Sequence, residues 1–313
     1  MRGSAEAFNK AAEPDLRRGY ALGVLGVVIF ALSIPMTRLA SGSSADPQLP
    51  PMFVAFGRAA VAGVCSLIYL RAVGAGRAAS ADFWPLAFTA LGVVIGWPVF
   101  LGLAVREVEA AHASVIAGIL PLVTAMMAAR WLRQRHSTGF WGAALVGCAL
   151  VVVFALWRGW QQSGELRISW ADLLLIGAVI SAAAGYVSGA GLSARMPPEQ
   201  VICWVLVLSL PLTIPVTLAT LPVTPIRFSA WAGFAYLSIF SMWLGFFAWY
   251  RALAIGGTVR ISQVQLLQPF LSLLFCVPIL GESLDAMTAG FSLAIIATVL
   301  WSRHYAKPRP AHE

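Results

Sequence analysis

The chain has 313 residues, 59% of them hydrophobic and 11% charged, against roughly 45–50% and about 25% in a soluble domain. So few charges cannot cover a water-soluble fold of this size, which excludes a soluble enzyme, a disordered protein and a disulfide scaffold. The formal net charge of +8 comes from cations lying between apolar runs, where it speaks about membrane orientation and not about nucleic acid.

In chain order, Met1 to Arg18 is polar, and Arg17 and Arg18 abut the first apolar run. That run, Tyr20 to about Ala40, exceeds a signal-peptide core and has no small-residue cleavage site after it, so it reads as a retained first span. A membrane helix needs about 20 mostly apolar residues. The first half then predicts spans at about 18–40, 51–71, 83–105, 110–132 and 138–157. The polar stretch 158–169 is the longest break between spans and reads as a periplasmic linker. The second half predicts spans at about 170–194, 198–220, 228–252, 257–280 and 285–303. The domain reading is a tail over 1–17, five-helix units over 18–157 and 170–303, and a tail over 304–313. Cys65, Cys148, Cys203 and Cys276 fall in four different runs with no ligand-like spacing, and read as small buried hydrophobes.

With the N-terminus placed inside, 15 of the 21 cations fall on the inner side. Arg38, Arg106, Arg158, Arg167 and Arg227 are left outside, and Arg58 lies within a span. This positive-inside bias puts both termini in the cytoplasm of a multi-pass inner-membrane protein. Sliding the chain on itself by 148 residues sets Ala104 on Ala252, Ser114 on Ser262, Pro121 on Pro269 and Gly142 on Gly290. Five helices per half require the second copy to enter the membrane upside down. The loops agree: Arg130, Arg133 and Arg135 follow the fourth span, whereas Gly281 to Asp285 after the ninth carries no cation. The fold class is therefore an all-α membrane protein of ten transmembrane helices in two inverted five-helix repeats, the pattern of secondary transporters that alternate access around a midplane site.

Several short motifs, in order, carry a family resemblance. Phe30-Ala-Leu-Ser-Ile-Pro-Met-Thr-Arg38 lies in the first span, Arg58 sits early in the second, and Tyr250-Arg-Ala-Leu253, Leu267-Gln-Pro269 and Leu280-Gly-Glu-Ser283 follow in the second half. The chain thus resembles the drug/metabolite transporter superfamily, specifically its ten-helix EamA-type exporters, and within them the aromatic amino acid exporters of the YddG type. It departs where Phe30-Ala31 replaces Trp-Gly and where Arg133-Gln134 occupies the first-half Gly-Glu position. The resemblance implies export of amino acids or related small metabolites through a central cavity walled by helices 1 to 4 and 6 to 9, helices 5 and 10 packing outside.

Polar groups inside an apolar bundle are costly unless they meet a partner, water or substrate. On the ninth span Ser262, Gln265, Gln268 and Ser272 share a sector of about 120° at helical spacing. They read as cavity lining, against interhelical hydrogen bonding as the plainer alternative. Pro121 and Pro269 each free a carbonyl one turn earlier and are candidate hinges. Arg58 either binds a substrate carboxylate or braces the first two helices. Trp97, Tyr186 and Trp243 fall nearer mid-span than the interfacial aromatics, and stack on substrate or simply pack. Gly19xxxGly23, Gly92xxxGly96 and Gly185xxxGly189 permit close helix approach.

All 13 carboxylates fall in loops, tails or first turns. His112 is the one intramembrane proton-carrying candidate and reads as structural, so the expectation is facilitated diffusion or exchange in preference to proton antiport. No metal set, cofactor motif, HExxH or GxSxG is present, so neither metal nor cofactor is expected and the chain is read as no enzyme. The partners expected are a small-molecule substrate and the lipid bilayer, with no nucleic acid, for a chain acting as a monomer. An importer or a sugar- or nucleotide-type carrier of the same superfamily is the alternative function, ahead of a channel.

Overall fold

The computed structural model describes residues 2–131, 138–164, 168–192, 195–256 and 264–305. Among these the elements are helical throughout, with one isolated bridge between Gly42 and Pro47. We number the ten helical spans in chain order. In the first half α1 is Arg2–Ala31 continued by Ser33–Ser41, α2 is Pro51–Ala72, and α3 is Phe83–Thr89, Ala90–Gly96 and Trp97–Glu107. Next come α4, Ala110–Ala117 and Leu120–Trp131, and α5, Thr138–Ser163. In the second half α6 is Trp170–Leu192, α7 is Pro198–Ala219, and α8 is Phe228–Tyr236, Leu237–Leu244 and Gly245–Gly256. The last two are α9, Gln268–Leu280 behind a 3₁₀ turn at Val264–Leu267, and α10, Ala286–Tyr305. The first eight are long and apolar enough to cross a membrane, and Gln268–Leu280 and Ala286–Trp301 are shorter apolar helices. The start assigned to the ninth span, 257–263, lies outside the described residues.

The halves begin and bend alike. Pro50-Pro51 opens α2 and Pro197-Pro198 opens α7, a proline fixing the first helical turn in each. Both third helices, α3 and α8, carry a π-helical segment, Ala90–Gly96 and Leu237–Leu244. Such wide turns are rare and cluster at functional sites.

Packing obeys the same symmetry. α1 packs on α8 and α6 on α3, α2 packs on α7, α4 on α9, and α5 on α10. Exchanging each helix with the one five places on maps these pairs onto one another, as a pseudo-two-fold axis requires. Glycine sets the closest crossings. A Cβ at Gly92 would lie 2.4 Å from the Ser181 carbonyl oxygen and 2.8 Å from Gly185 N. Thus the Gly92 and Gly185 motifs read from the sequence pack against each other, on α3 and α6.

One end of the bundle is tied by polar bonds. Ser44 N donates to Arg106 O at 2.9 Å, Arg227 pairs with Asp46, Arg38 donates to Val105 O, and Arg158 Nη2 meets Asp285 Oδ2 at 3.0 Å. These residues belong to connections that the charge count places outside. At the opposite end Arg195 Nη1 meets Asp82 Oδ1 at 2.9 Å.

Candidate functional site

Both fourth helices are interrupted, and the interruptions face each other. α4 breaks at Gly118-Ile119, and Pro121 stands in the first turn of its second piece. α9 begins at Gln268-Pro269 behind the 3₁₀ turn. A Cβ on Gly118 would sit 3.5 Å from Pro269 Cβ, so the two breaks touch. A proline in the first turn lacks only an N–H that would have no helical partner there, so Pro121 and Pro269 each suit the start of a new helical piece.

Two adjoining clefts open beside this junction. One is lined by Ile34, Trp97, Ala117, Leu120, Pro121, Gln265, Gln268, Pro269 and Ser272. The other is lined by Phe30, Ser33, Arg58, Val93, Trp97, Tyr186, Ser241, Met242, Phe246 and Gln268. Trp97 and Gln268 belong to both. The clefts are narrow in this conformation, with room for water but none for an aromatic molecule, so loading requires the halves to part.

Arg58 is 3% exposed. Its Nη2 donates to Ser241 Oγ at 2.9 Å, and Ser241 Oγ and Ser33 Oγ lie 2.6 Å apart. Its Nε has no hydrogen-bond partner among the described residues, and no carboxylate is paired with it there. The guanidinium therefore does not reach either surface of the bundle. It links α2 to α8 and α1, and faces the cleft.

The sequence-predicted residues divide accordingly. Gln265, Gln268, Trp97, Tyr186, Arg58, Pro121 and Pro269 come together on the two clefts. Gln265 lies in the 3₁₀ turn Val264–Leu267 and Gln268 opens the helix behind it, and both line the first cleft. Trp243 is not among the cleft residues; it packs edge-to-face on Phe247 at 5.3 Å. Ser262 lies outside the described residues. Ser33 and Ser241, which hold the Arg58 head, were not singled out by sequence; Ser33 stands in the first-span motif, and that was its available signal.

A second buried polar site was missed. His112 Nε2 lies 2.6 Å from Asp172 Oδ1, with side chains 3% and 2% exposed. The other carboxylate oxygen accepts Ser169 N at 2.9 Å and Ser169 Oγ at 2.7 Å, and Asp172 N donates to Ser169 Oγ at 3.1 Å. This is a capping box closing the start of α6. His112 on α4 is thus tied to Asp172 on α6 of the other half, a partner the sequence reading did not assign it. The signal was present: both residues stand in the first turns of spans starting at the same end, and Ser169-Trp-Ala-Asp172 is a legible cap.

Glu282 also joins the halves. Its Oε1 and Oε2 accept Ala110 N and Ala111 N at 2.8 Å each, satisfying the first free amides of α4. Gly281, at φ 68°, ends α9 in the left-handed region and turns Glu282 toward α4. Burial holds the Glu282 carboxyl above its ordinary range, nearby Glu109 pushing the same way, while the two amide bonds and Arg38 oppose them. Glu282→Ala is expected to cost about 1–2 kcal/mol, an ordinary figure for a lost cap, read as a lower thermal midpoint in detergent.

The geometry has counterparts in known proteins. The sequence pattern of the EamA-like transporter family matches residues 17–158 and 169–303, each stretch holding five of the ten helices. An "Uncharacterized transporter YdeK" of Bacillus subtilis (strain 168) is 38% identical over 291 residues, covering 92% of this chain and 98% of that protein. A crystal structure with 16% identity, covering 92% of this chain and 97% of its own, agrees with a TM-score of 0.62 and shows likeness of fold alone. Ten apolar helices packed under a pseudo-two-fold, and a family match along both halves, lead to one conclusion: the chain belongs to the EamA-like transporter family of multi-pass membrane proteins.

Proposed function

We propose that the protein is a secondary transporter exporting amino acids, aromatic ones among them, or related small metabolites across the bacterial inner membrane by alternating access. The reading is carried by one observation: a buried, carboxylate-free Arg58 faces the clefts between the halves, where interrupted helices α4 and α9 meet. Interrupted helices at a repeat interface are where carriers of this architecture bind their cargo. Arg58 supplies a fork that matches a carboxylate. Trp97 and Tyr186 supply apolar walls, and Gln265 and Gln268 supply adaptable donors and acceptors. Pro121 and Pro269 serve as hinges of the half-helices. Both termini lie in the cytoplasm, in keeping with the cation bias, and the units 18–157 and 170–303 rock against each other as the halves of a monomer.

The clamped end, outside by charge, fits a carrier closed to the outside. Export is measured by counterflow in proteoliposomes with a panel of labelled amino acids and the organic acids related to them. Above-background exchange of at least one supports the reading; a flat panel overturns it. Gln265→Leu and Gln268→Leu are each expected to lower exchange about tenfold or more, since each removes a polar partner worth over about 1.4 kcal/mol if it holds substrate. Unchanged exchange in normally folded variants would remove both residues from the site.

A further inference from the structure

We infer that the Arg58 cleft selects by net charge, and that its preferred cargo is an organic acid: a carboxylate on an apolar or aromatic body without an α-ammonium group. The inference rests on the transport reading above and narrows it.

A guanidinium has five N–H donors and is charged under all ordinary conditions. Of those on Arg58, Nη2 reaches Ser241, which is itself engaged with Ser33, and Nε is left without a partner among the described residues. A buried cation normally meets a carboxylate. Here none is within reach. No residue lining either cleft is Asp or Glu. The undescribed stretch 257–263 holds none either, and the 13 acids of the chain all sit at span ends, in loops or in tails. The other polar groups on the clefts, such as Tyr186, Gln265 and Gln268, are uncharged.

The empty cleft therefore carries one unbalanced positive charge. A monoanion cancels it. A zwitterion does not: its carboxylate meets Arg58, but its ammonium hangs on the adjacent carbon, within roughly 5–6 Å of the guanidinium, where like charges in a partly buried site repel by kilocalories. An aromatic face such as that of Trp97 shelters an ammonium only weakly against that repulsion, and Phe30 and Phe246 are already engaged with each other edge-to-face at 4.9 Å. A carboxylate without the ammonium satisfies the free donors and leaves no charge unpaired. Its apolar body lies against Trp97 and Phe246.

The test uses the full-length protein in proteoliposomes near pH 7.5, with protein-free vesicles as background, and three labelled probes of one body: phenylalanine, 3-phenyllactate, which replaces the ammonium by a hydroxyl, and phenethylammonium, which lacks the carboxylate. Exchange of 3-phenyllactate is expected to exceed that of phenylalanine by at least about tenfold, a conservative reading of the repulsion, with phenethylammonium at background. R58Q is expected to bring 3-phenyllactate to background, and R58K to keep the preference at reduced rate. Thermal midpoints in detergent, raised by 3-phenyllactate in wild type and not in R58Q, report binding separately from transport. Phenylalanine exchanging as fast as 3-phenyllactate, or faster, overturns the charge selection and leaves the amino acid exporter standing. Failure of all three probes together with the amino acid panel overturns both. R58Q retaining 3-phenyllactate exchange overturns the role of Arg58 whatever the wild-type preference.

Discussion

Gly92→Val is expected to yield no folded protein. The α3–α6 crossing is held at backbone distance, and a side chain on Gly92 points at the Ser181 carbonyl, 2.4 Å from where its Cβ would stand, and at Gly185 N, 2.8 Å away. Neither atom belongs to a flexible side chain, so relief requires sliding one helix against the other. That slide disturbs the neighbouring crossing too, where Gly96 also leaves no room: a Cβ there would stand 2.6 Å from Ser181 Cβ. Ordinary overpacking of a core costs about 1–3 kcal/mol because side chains adjust; here there is nothing to adjust, and the cost exceeds that range. Even Gly92→Ala should fall apart on size exclusion in detergent or melt far below wild type. Gly142→Ala and Gly290→Ala are the controls. A Cβ at either meets nothing within 4 Å, and removing a helical glycine there should be neutral or gain up to about 1 kcal/mol. A folded Gly92→Val of wild-type stability would show that the two backbones are farther apart than this.

The second large effect belongs to His112 and Asp172. His112→Leu leaves the Asp172 Oδ1 oxygen buried without its partner, and Asp172→Leu strips both the histidine and the α6 cap. Removing one member of a buried pair costs about 3–5 kcal/mol, so each single change should lower the thermal midpoint by many degrees. The double variant is the informative one. With the cap lost in both but no histidine left buried without its partner, it should be more stable than Asp172→Leu alone, a coupling of at least about 1 kcal/mol in a double-mutant cycle. Additive losses would mean that the 2.6 Å contact carries no energy of its own. Phe154 packs on the His112 ring at 5.0 Å, and Arg158 stacks over Phe154, so an intact α5 is part of the same platform.

Much of this fold was legible because membrane helices announce themselves one at a time: run length fixes each span, cations fix its ends, and the prolines at 121 and 269 repeat. The residues converging on the clefts were legible for the same reason. Gln265, Gln268 and Arg58 are polar where polarity is costly, which marks them without any knowledge of their neighbours. Relations between helices could not be read. His112 and Asp172 are 60 residues apart, and nothing in the periodicity of either helix names the other. Trp243 shows a different limit. It lies within the π-helical segment Leu237–Leu244, whose wider turn shifts successive side chains round the axis relative to a regular helix. Ser241 and Met242 face the cleft there, while Trp243 is carried round to Phe247.

The absence of a carboxylate beside Arg58 has a consequence for how membrane voltage acts on the protein. If the cleft empties and fills as inferred, the unloaded bundle carries a positive charge within the bilayer and the loaded one is neutral. A charge crossing the full field is worth about 2.3 kcal/mol per 100 mV. An interior-negative potential therefore draws the empty site back toward the cytoplasm and leaves the loaded site almost indifferent. Each cycle moves one negative charge outward, and the voltage alone supports roughly a fiftyfold outward gradient per 100 mV. No proton-carrying residue is needed at the midplane, where the sequence has none.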